Sequence, residues 1–278
     1  MSETSIVFIG DVHNRVEVLK RAVAAVPAAA ALGFVGDFVD MRDPTLFERS
    51  TVDVGTILEL HTSLIDYLNT IGNLCYYVLG NHDPVAFSRK LGSQWRHLDL
   101  AIHKLPGTDI KLGGIGGSHM VPSNLPTGAG RAFREGVVHK SLSGMYSSFE
   151  FAKYEIQIEG IAKILASKVP GELAMYDLDP PNVLVTHTPP VLPKERTLTW
   201  DILDWKSFGL ARSIEHFKPM VIVSGHLHEP RPPSYEWTHT DGRRTLCLQT
   251  GELTPNSPLW SLEFKDAASP PAVRQSRW

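Results

Sequence analysis

Strand-length apolar runs recur along the chain and alternate with segments of helical periodicity. The strand-like runs are 6–9, 32–35, 74–79, 110–115, 183–185, 220–223, 245–249 and 259–264. Helical periodicity is clearest at 16–26 and 52–70, where apolar residues recur every three or four positions. Further helices are expected at about 85–91, 149–167 and 206–217. This alternation predicts an α/β domain with parallel strands and right-handed crossovers.

Polar residues with metal-binding side chains follow five of these runs. They are Asp11 and His13, Asp37 and Asp40, Asn81 with His82 and Asp83, His187, and finally His226 and His228. Because open α/β sheets place their sites at the carboxyl ends of strands, we expect these side chains to gather in one place. Histidine nitrogens with carboxylate and amide oxygens, and no cysteine, suit Mn, Fe, Zn or similar ions.

Composition and charge narrow the class of protein. The chain has 278 residues, of which 42% are hydrophobic and 21% charged, and its formal net charge is -3. These values are ordinary for a globular domain, and no break in composition divides the chain, so we expect one domain over 1–265. The charge gives no basic field that would attract nucleic acid or a membrane, and neither is expected as a partner.

The expected compartment is the cytoplasm. The chain does not open with the basic start and apolar stretch of a secretory signal, and no apolar run approaches the roughly 18 residues of a membrane span. Cys75 and Cys247 fall in strand-like runs and are expected to be buried thiols, not a disulfide.

Two segments lack the strand and helix pattern. Residues 122–146 are rich in Gly, Ser and Pro, and we expect a loop-rich stretch over about 116–148 beside the mouth of the site. Loops this long in compact domains are usually functional or disordered. The tail 266–278, which contains Ser269-Pro270-Pro271, is expected to be disordered.

The polar residues fall into five short motifs. They are Gly10-Asp11-Val12-His13, Gly36-Asp37-Phe38-Val39-Asp40, Gly80-Asn81-His82-Asp83, a lone His187, and Gly225-His226-Leu227-His228. In this order they resemble the motifs of the calcineurin-like metallophosphoesterase superfamily, over about 6–262. One such motif is a weak signal, whereas five in order, each after a strand-like run, are specific. The resemblance implies a four-layer α/β fold, in which two mixed β-sheets pack as a β-sandwich flanked by α-helices.

The resemblance also implies a site for two divalent or trivalent metal ions. The ligands would be Asp11, His13 and His228 for the first ion, Asn81, His187 and His226 for the second, and the bridging Asp37 for both. A hydroxide shared by the ions would attack phosphorus, and the ions would stabilise the charge of the transition state. Manganese, iron and zinc all suit these ligands, and the ligand set does not choose between them.

Two further motif residues would handle the proton of the leaving group. His82 matches the family position that protonates the leaving alkoxide, and Asp40 matches the position that hydrogen-bonds and orients this histidine. A carboxylate raises the pKa of a neighbouring histidine, whereas nearby metal ions lower it, so the sign of the net shift in His82 stays open.

Outside the motifs the candidates are weaker. Arg131 and Arg134 are candidates to bind a substrate phosphate through bidentate hydrogen bonds, and His119 to face the mouth of the site. As exposed loop charges the arginines need no function. Taken singly, Asp11 and Asp37 are compatible with helix caps, and 226–228 with a surface turn. The other histidines, including His61, carry no predicted role.

The motifs identify the reaction and not the substrate. Protein Ser/Thr phosphatases of the superfamily continue the second motif with Arg-Gly and end the third with Glu, whereas here Met41 and Arg42 follow Asp40 and the third motif ends in Asp83. The expected function is hydrolysis of a small-molecule, nucleotide-type phosphodiester or phosphomonoester. The alternatives are a protein Ser/Thr phosphatase, a nuclease, or a non-catalytic metal-binding scaffold.

Overall fold

Two six-stranded sheets form the body of the protein. The computed structural model describes residues 4–40, 54–80, 82–98, 101–116, 180–190, 214–228 and 233–278. The first sheet contains Thr4–Ile9 (β1), Ala31–Phe34 (β2), Cys75–Tyr77 (β3), Trp95–His97 (β4), Leu259–Phe264 (β11) and Ala272–Ser276 (β12). The second contains Ile102–Lys104 (β5), Lys111–Ile115 (β6), Val183–Thr186 (β7), Val221–Ser224 (β8), Ser234–Thr238 (β9) and Arg244–Gln249 (β10).

Both sheets are mixed, with parallel strands at the centre. The first has the order β12-β11-β1-β2-β3-β4, and its strands from β1 to β4 run parallel while β11 pairs antiparallel with β1 and β12. The second has the order β5-β6-β7-β8-β10-β9, with β6, β7, β8 and β10 parallel and β5 and β9 antiparallel at its edges. The parallel strands therefore bring the ends of β1, β2, β3, β7 and β8 to the same region.

Helices cover the outer face of the first sheet. They are Val16–Ala24 (α1), Val54–Leu60 (α2), Thr62–Thr70 (α3) and the 3₁₀ helix Val85–Lys90. Apolar residues of α1 and α3, such as Leu19 and Leu68, share one core cluster with Ile9 and Phe34 of the sheet. The opposite face carries Phe8, which lies in a second cluster with residues of β7 and β8, so that cluster fills the space between the sheets. A third cluster joins the helical residues 214–217 to the outer face of the second sheet. This layering confirms the predicted sandwich flanked by helices.

The predicted elements agree with the structure in most of the described chain. All eight strand-like runs are strands, and the long helix expected at 52–70 is divided into α2 and α3 at His61. The helix expected at 149–167 and the loop-rich stretch at 117–148 lie outside the described residues, as does most of 206–217. The domain boundary at 265 stays a prediction.

The prediction of a disordered tail over 266–278 is wrong. Residues Ala272–Ser276 form β12, which pairs antiparallel with β11 at the edge of the first sheet. Most of its side chains are exposed, so backbone hydrogen bonds hold this strand and the apolar pattern gives no sign of it. The terminal Trp278 packs against the core cluster of α1, with the guanidinium of Arg21 5.8 Å from its ring.

The two cysteines are buried free thiols, as the sequence predicts. Burial raises the pKa of Cys75 and of Cys247 to about 12 in each case. Among the described residues, no helix combines the length and the apolar character needed to cross a membrane.

Candidate metal centre

The candidate ligands lie where the carboxyl ends of strands from both sheets meet. Asp11 and His13 follow β1, Asp37 follows β2, and His187 and His226 follow β7 and β8. All five side chains are buried. His228 is half-buried beside them, and Asn81 lies outside the described residues. The two sheets therefore supply the candidate ligands jointly.

One group contains Asp11, His13 and His228, whose ligand atoms lie within 4.8 Å of one another. The Nε2 atoms of His13 and His228 are 3.0 Å apart. Two imidazole nitrogens at about 2.1 Å from one ion and at right angles are about 3.0 Å apart, so this spacing fits shared ligation. Asp11 Oδ1 is buried and accepts no hydrogen bond from the described residues, which also suits a ligand.

A second group contains Asp37, His187 and His226, again within 4.8 Å of one another. His187 Nε2 lies 3.4 Å from Asp37 Oδ2 and 3.2 Å from His226 Nδ1. The other ring nitrogen of His187, Nδ1, donates to the carbonyl of Val35 at 2.8 Å. That bond leaves Nε2 as the ring nitrogen that faces the group, which is the orientation of a metal-binding histidine.

Asp37 lies between the two groups. Its Oδ2 atom is 3.7 Å from His13 Nε2 and 3.4 Å from His187 Nε2. Its Oδ1 atom accepts the backbone N–H of His82 at 2.9 Å. A single carboxylate oxygen therefore faces both groups, which suits the expected bridging role.

Burial and charge act strongly on these side chains. Burial raises the pKa of Asp11 well above its usual range. Burial would also raise the pKa of Asp37, but the charges of His187 and His82 hold it well below that range. For His187 burial would lower the pKa, but the carboxylates of Asp37 and Asp11 raise it to about 9. Buried carboxylates need positive charge nearby. Cations bound by the oxygen and nitrogen atoms of this site would supply that charge.

The loops that carry these ligands are tightly turned. His13, Asn14, Asp37 and His226 have positive φ angles of 44°, 57°, 51° and 66°. Such angles strain residues other than glycine and concentrate at functional sites. A Cβ on Gly80 would lie 2.1 Å from Asp37 Oδ1, and a Cβ on Gly225 would lie 2.2 Å from Asp11 Oδ1. Glycine is required in these motifs because the backbone passes directly against the carboxylates.

The structure brings Asp40 and His82 together with His13. One ring nitrogen of each histidine and one Asp40 oxygen lie within 4.8 Å of one another. Asp40 Oδ1 is 3.8 Å from His13 Nδ1, and the rings of His13 and His82 meet edge to face at 4.9 Å. Asp40 therefore lies near a candidate ligand as well as near His82, a proximity that the motifs alone do not indicate.

Two further residues support the backbone of the site, and the sequence predicts no role for either of them. The buried His61 accepts the backbone N–H of Asp40 at Nε2, 3.0 Å away, and its Nδ1 lies 2.7 Å from the carbonyl of Ile57. Asp83 accepts the backbone N–H groups of Val39 and Gly80 at 3.0 and 2.8 Å. Burial, with the charge of Asp37, raises the pKa of Asp83 to about 7. Asp83 carried a motif signal, whereas His61 carried none.

Some of the remaining candidates lie outside the described residues, and for others the structure rules out the alternative interpretation. Arg131, Arg134 and His119 lie outside the described residues. The helix-cap alternative fails for Asp11 and Asp37, because their carboxylates accept the N–H groups of His226 and His82 in loops. Residues 226–228 do not form an isolated surface turn, because His226 is buried in the site.

Solved structures similar to the chain include bacterial proteins. The Thermus thermophilus protein TT1561 is 13% identical, with 99% of each chain covered and a TM-score of 0.56, which is a likeness of fold alone. A 5'-nucleotidase precursor from the same organism is 15% identical over 99% of this chain and 54% of its own, with a TM-score of 0.47. Haemophilus influenzae NAD nucleotidase is 13% identical over 99% of this chain and 49% of its own, with a TM-score of 0.45.

Sequence comparison gives the family. No curated protein matches the chain. The model of the calcineurin-like phosphoesterase family matches residues 4–230, which is most of the chain and includes all five motifs. The chain therefore belongs to the calcineurin-like phosphoesterases, hydrolases of phosphoric ester bonds that use a dinuclear metal centre.

Proposed function

We propose that the protein hydrolyses small-molecule, nucleotide-type phosphodiesters or phosphomonoesters. The observation that carries this proposal is the position of Asp37, whose Oδ2 lies 3.7 Å from His13 Nε2 and 3.4 Å from His187 Nε2. Two bound metal ions would supply a nucleophile at neutral pH and a positive field for the phosphoryl oxygens. The chain's contribution is to hold donors for both ions around one buried carboxylate.

The proposed ligands follow the two groups of side chains. They are Asp11, His13 and His228 on one side, His187 and His226 on the other, and Asp37 between them. Asn81 is proposed as a further ligand from its motif alone, because it lies outside the described residues. Mn, Fe and Zn suit nitrogen and oxygen donors of this kind. Because Nδ1 of His187 donates to Val35, Nε2 is the nitrogen that would bind an ion, with release of its proton.

His82 is the proposed proton donor to the leaving group. Its backbone N–H donates to Asp37 Oδ1, so the backbone of His82 is anchored to the carboxylate that lies between the two groups. Asp40, within 4.8 Å of the His82 ring nitrogen, is proposed to orient that ring. A positioned acid of this kind is worth about 10²- to 10⁴-fold in rate.

Support for a small substrate comes from the sequence. The residues after Asp40 and the Asp83 that ends the third motif depart from the protein phosphatase pattern, and the net charge of -3 offers no general attraction for nucleic acid. Arg131, Arg134 and His119 are the proposed contacts to the substrate.

A substrate panel tests the proposed function. The protein would be loaded in turn with Mn, Fe, Zn, Ni, Co or Mg. It would then be assayed with p-nitrophenyl phosphate, bis-p-nitrophenyl phosphate, nucleoside monophosphates and cyclic nucleotides. We expect metal-dependent turnover of nucleotide esters. Turnover confined to phosphoproteins or to DNA would favour the phosphatase or nuclease alternative, and no turnover with any metal would favour a scaffold.

The role of His82 has its own test. We expect His82→Ala to keep the wild-type metal content but to lose far more rate on esters with poor leaving groups than on p-nitrophenyl esters. The reason is that only a poor leaving group needs protonation as the bond breaks. Equal loss on both kinds of ester would remove His82 as the proton donor.

A further inference from the structure

Glu252 lies beside the first ligand group, in the segment that follows β10. Backbone hydrogen bonds connect this segment to two candidate ligands. Asp11 N donates to Gly251 O at 3.0 Å, and Leu253 N donates to Asp11 O at 2.8 Å. Glu252 N donates to His228 O at 3.2 Å. The position of Glu252 is thus fixed relative to both Asp11 and His228.

The side chain of Glu252 faces the outer nitrogen of His228. Glu252 Oε2 is 4.0 Å from His228 Nδ1, whereas His228 Nε2 is directed to His13 Nε2 at 3.0 Å. The two ring nitrogens of His228 therefore have different neighbours. If Nε2 gives its lone pair to an ion, the ring proton is on Nδ1 and faces the carboxylate. The distance of 4.0 Å exceeds a hydrogen bond but is within the range of an ion pair.

Arg15 fixes the orientation of the Glu252 carboxylate. Its Nη2 donates to Glu252 Oε1 at 2.7 Å, and its Nη1 donates to Leu253 O at 3.1 Å. The rigid guanidinium therefore binds the carboxylate and the adjacent backbone together. With Oε1 held by Arg15, Oε2 is left on the side of His228. Arg15 is two residues beyond His13, so this pair also connects the first motif to the segment after β10.

We propose that Glu252 is a positioning residue that orients His228 as a metal ligand, and that Arg15 holds Glu252 in place. The inference rests on the dinuclear centre of the proposed function. Metal-binding histidines commonly donate their second ring N–H to a carboxylate or carbonyl, which fixes the tautomer and raises the basicity of the ligating nitrogen. For His187 the carbonyl of Val35 accepts this N–H. Glu252 is the corresponding acceptor for His228.

Calorimetric titration of the metal-free protein with Mn²⁺ tests this assignment. We expect two binding steps in the wild type, and Glu252→Gln to weaken one step by about 10- to 100-fold while the other is unchanged. Arg15→Met should weaken the same step by a smaller factor, because Glu252 remains. Glu263→Gln is the matched control, since Glu263 on β11 also pairs with an arginine, Arg274, at 2.9 Å and is in none of the candidate metal groups of the described residues.

The outcomes separate the inference from the function on which it rests. Two binding steps of unchanged affinity in Glu252→Gln would overturn the role of Glu252 alone, even if the variant unfolds at a lower temperature. Failure of the wild type to bind Mn²⁺, Fe²⁺ and Zn²⁺ alike would overturn the metal centre and this inference together. Should Glu252→Gln fail to fold, Glu252→Asp and Arg15→Met apply the same criterion, because each leaves the paired partner in place.

Discussion

At the scale of single residues, His61 illustrates how a buried side chain outside the ligand set shapes the site. A backbone N–H can only donate, so the bond from Asp40 N requires an unprotonated Nε2 on His61. The proton is then on Nδ1, which donates to the carbonyl of Ile57 at 2.7 Å. His61 is therefore neutral, and it ties the Asp40 backbone to α2.

Replacing His61 tests this tie. His61→Leu leaves the Asp40 amide without this acceptor, and we expect the free energy of unfolding to fall by about 1–3 kcal/mol. Rate on poor leaving groups should fall as well, because Asp40 no longer holds its position beside His82. Denaturant unfolding and steady-state assays measure the two effects. The control His103→Leu loses one bond to the carbonyl of His97 on β4, away from the site. Equal loss of rate in both variants would contradict the assignment.

The motifs identify candidate ligands but not the residues that support them. The structure places six motif side chains close together, and their role as ligands stays a prediction: Asp11, His13, Asp37, His187, His226 and His228. Arg15 and Glu252 are 237 positions apart, and backbone hydrogen bonds of Asp11 to Gly251 and Leu253 bring their segments together. Glu252 does follow a strand and a glycine, as the ligands do, and that pattern was the available signal. No local pattern distinguishes His61 from an ordinary core histidine.

At the scale of elements, the turns after the strands are tight. The glycine that precedes a candidate ligand in these turns has no room for a side chain. Two of these glycines lie directly against candidate ligands, Gly80 against Asp37 and Gly225 against Asp11. Asp83 further joins the loops after β2 and β3 by accepting the N–H groups of Val39 and Gly80. The spacing of the carboxylates is therefore set by backbone packing.

An added methyl group at Gly80 tests this packing. In Gly80→Ala the Cβ would lie 2.1 Å from Asp37 Oδ1, so Asp37 or the loop must move. We expect the free energy of unfolding to fall by about 1–3 kcal/mol. Metal affinity should fall by a larger fraction of its wild-type value. Gly72→Ala is the control, because no atom of the described residues lies within 4 Å of the added Cβ. Wild-type metal affinity in Gly80→Ala would contradict the role of this turn.

The strands that the sequence did not predict are the four edge strands. They are β4 and β12 in the first sheet and β5 and β9 in the second. Central strands are buried and therefore appear as apolar runs, whereas an edge strand such as Ala272–Ser276 has mostly exposed side chains. An edge strand forms because its backbone pairs with a neighbouring strand, and the sequence of the edge strand alone does not reveal that pairing.

At the scale of the whole molecule, the site joins the two sheets. His187 from the second sheet donates to Val35 after β2, and the backbone N–H of His226 donates to Asp11 Oδ2 at 2.8 Å. Because the candidate ligands come from both sheets, bound ions would connect the two halves of the sandwich. Metal binding should then contribute to global stability as well as to catalysis.

Removal of metal tests this coupling. A ligand present at 100 times its Kd stabilises the folded state by about 2.7 kcal/mol, so we expect a chelator to lower the unfolding temperature clearly. Asp37→Asn should unfold at nearly the same temperature with and without metal, because the shared carboxylate is lost. An equal metal-dependent shift in the wild type and in Asp37→Asn would mean that the ions bind elsewhere.

We propose that two metal ions share Asp37 at the junction of the sheets. Anomalous scattering from crystals of the Mn²⁺-loaded protein tests this, because it locates each ion without reference to activity. We expect two peaks about 3.5–4 Å apart, one beside His13 and His228 and one beside His187 and His226, with an Asp37 oxygen between them. A single peak, or peaks away from these side chains, would contradict it.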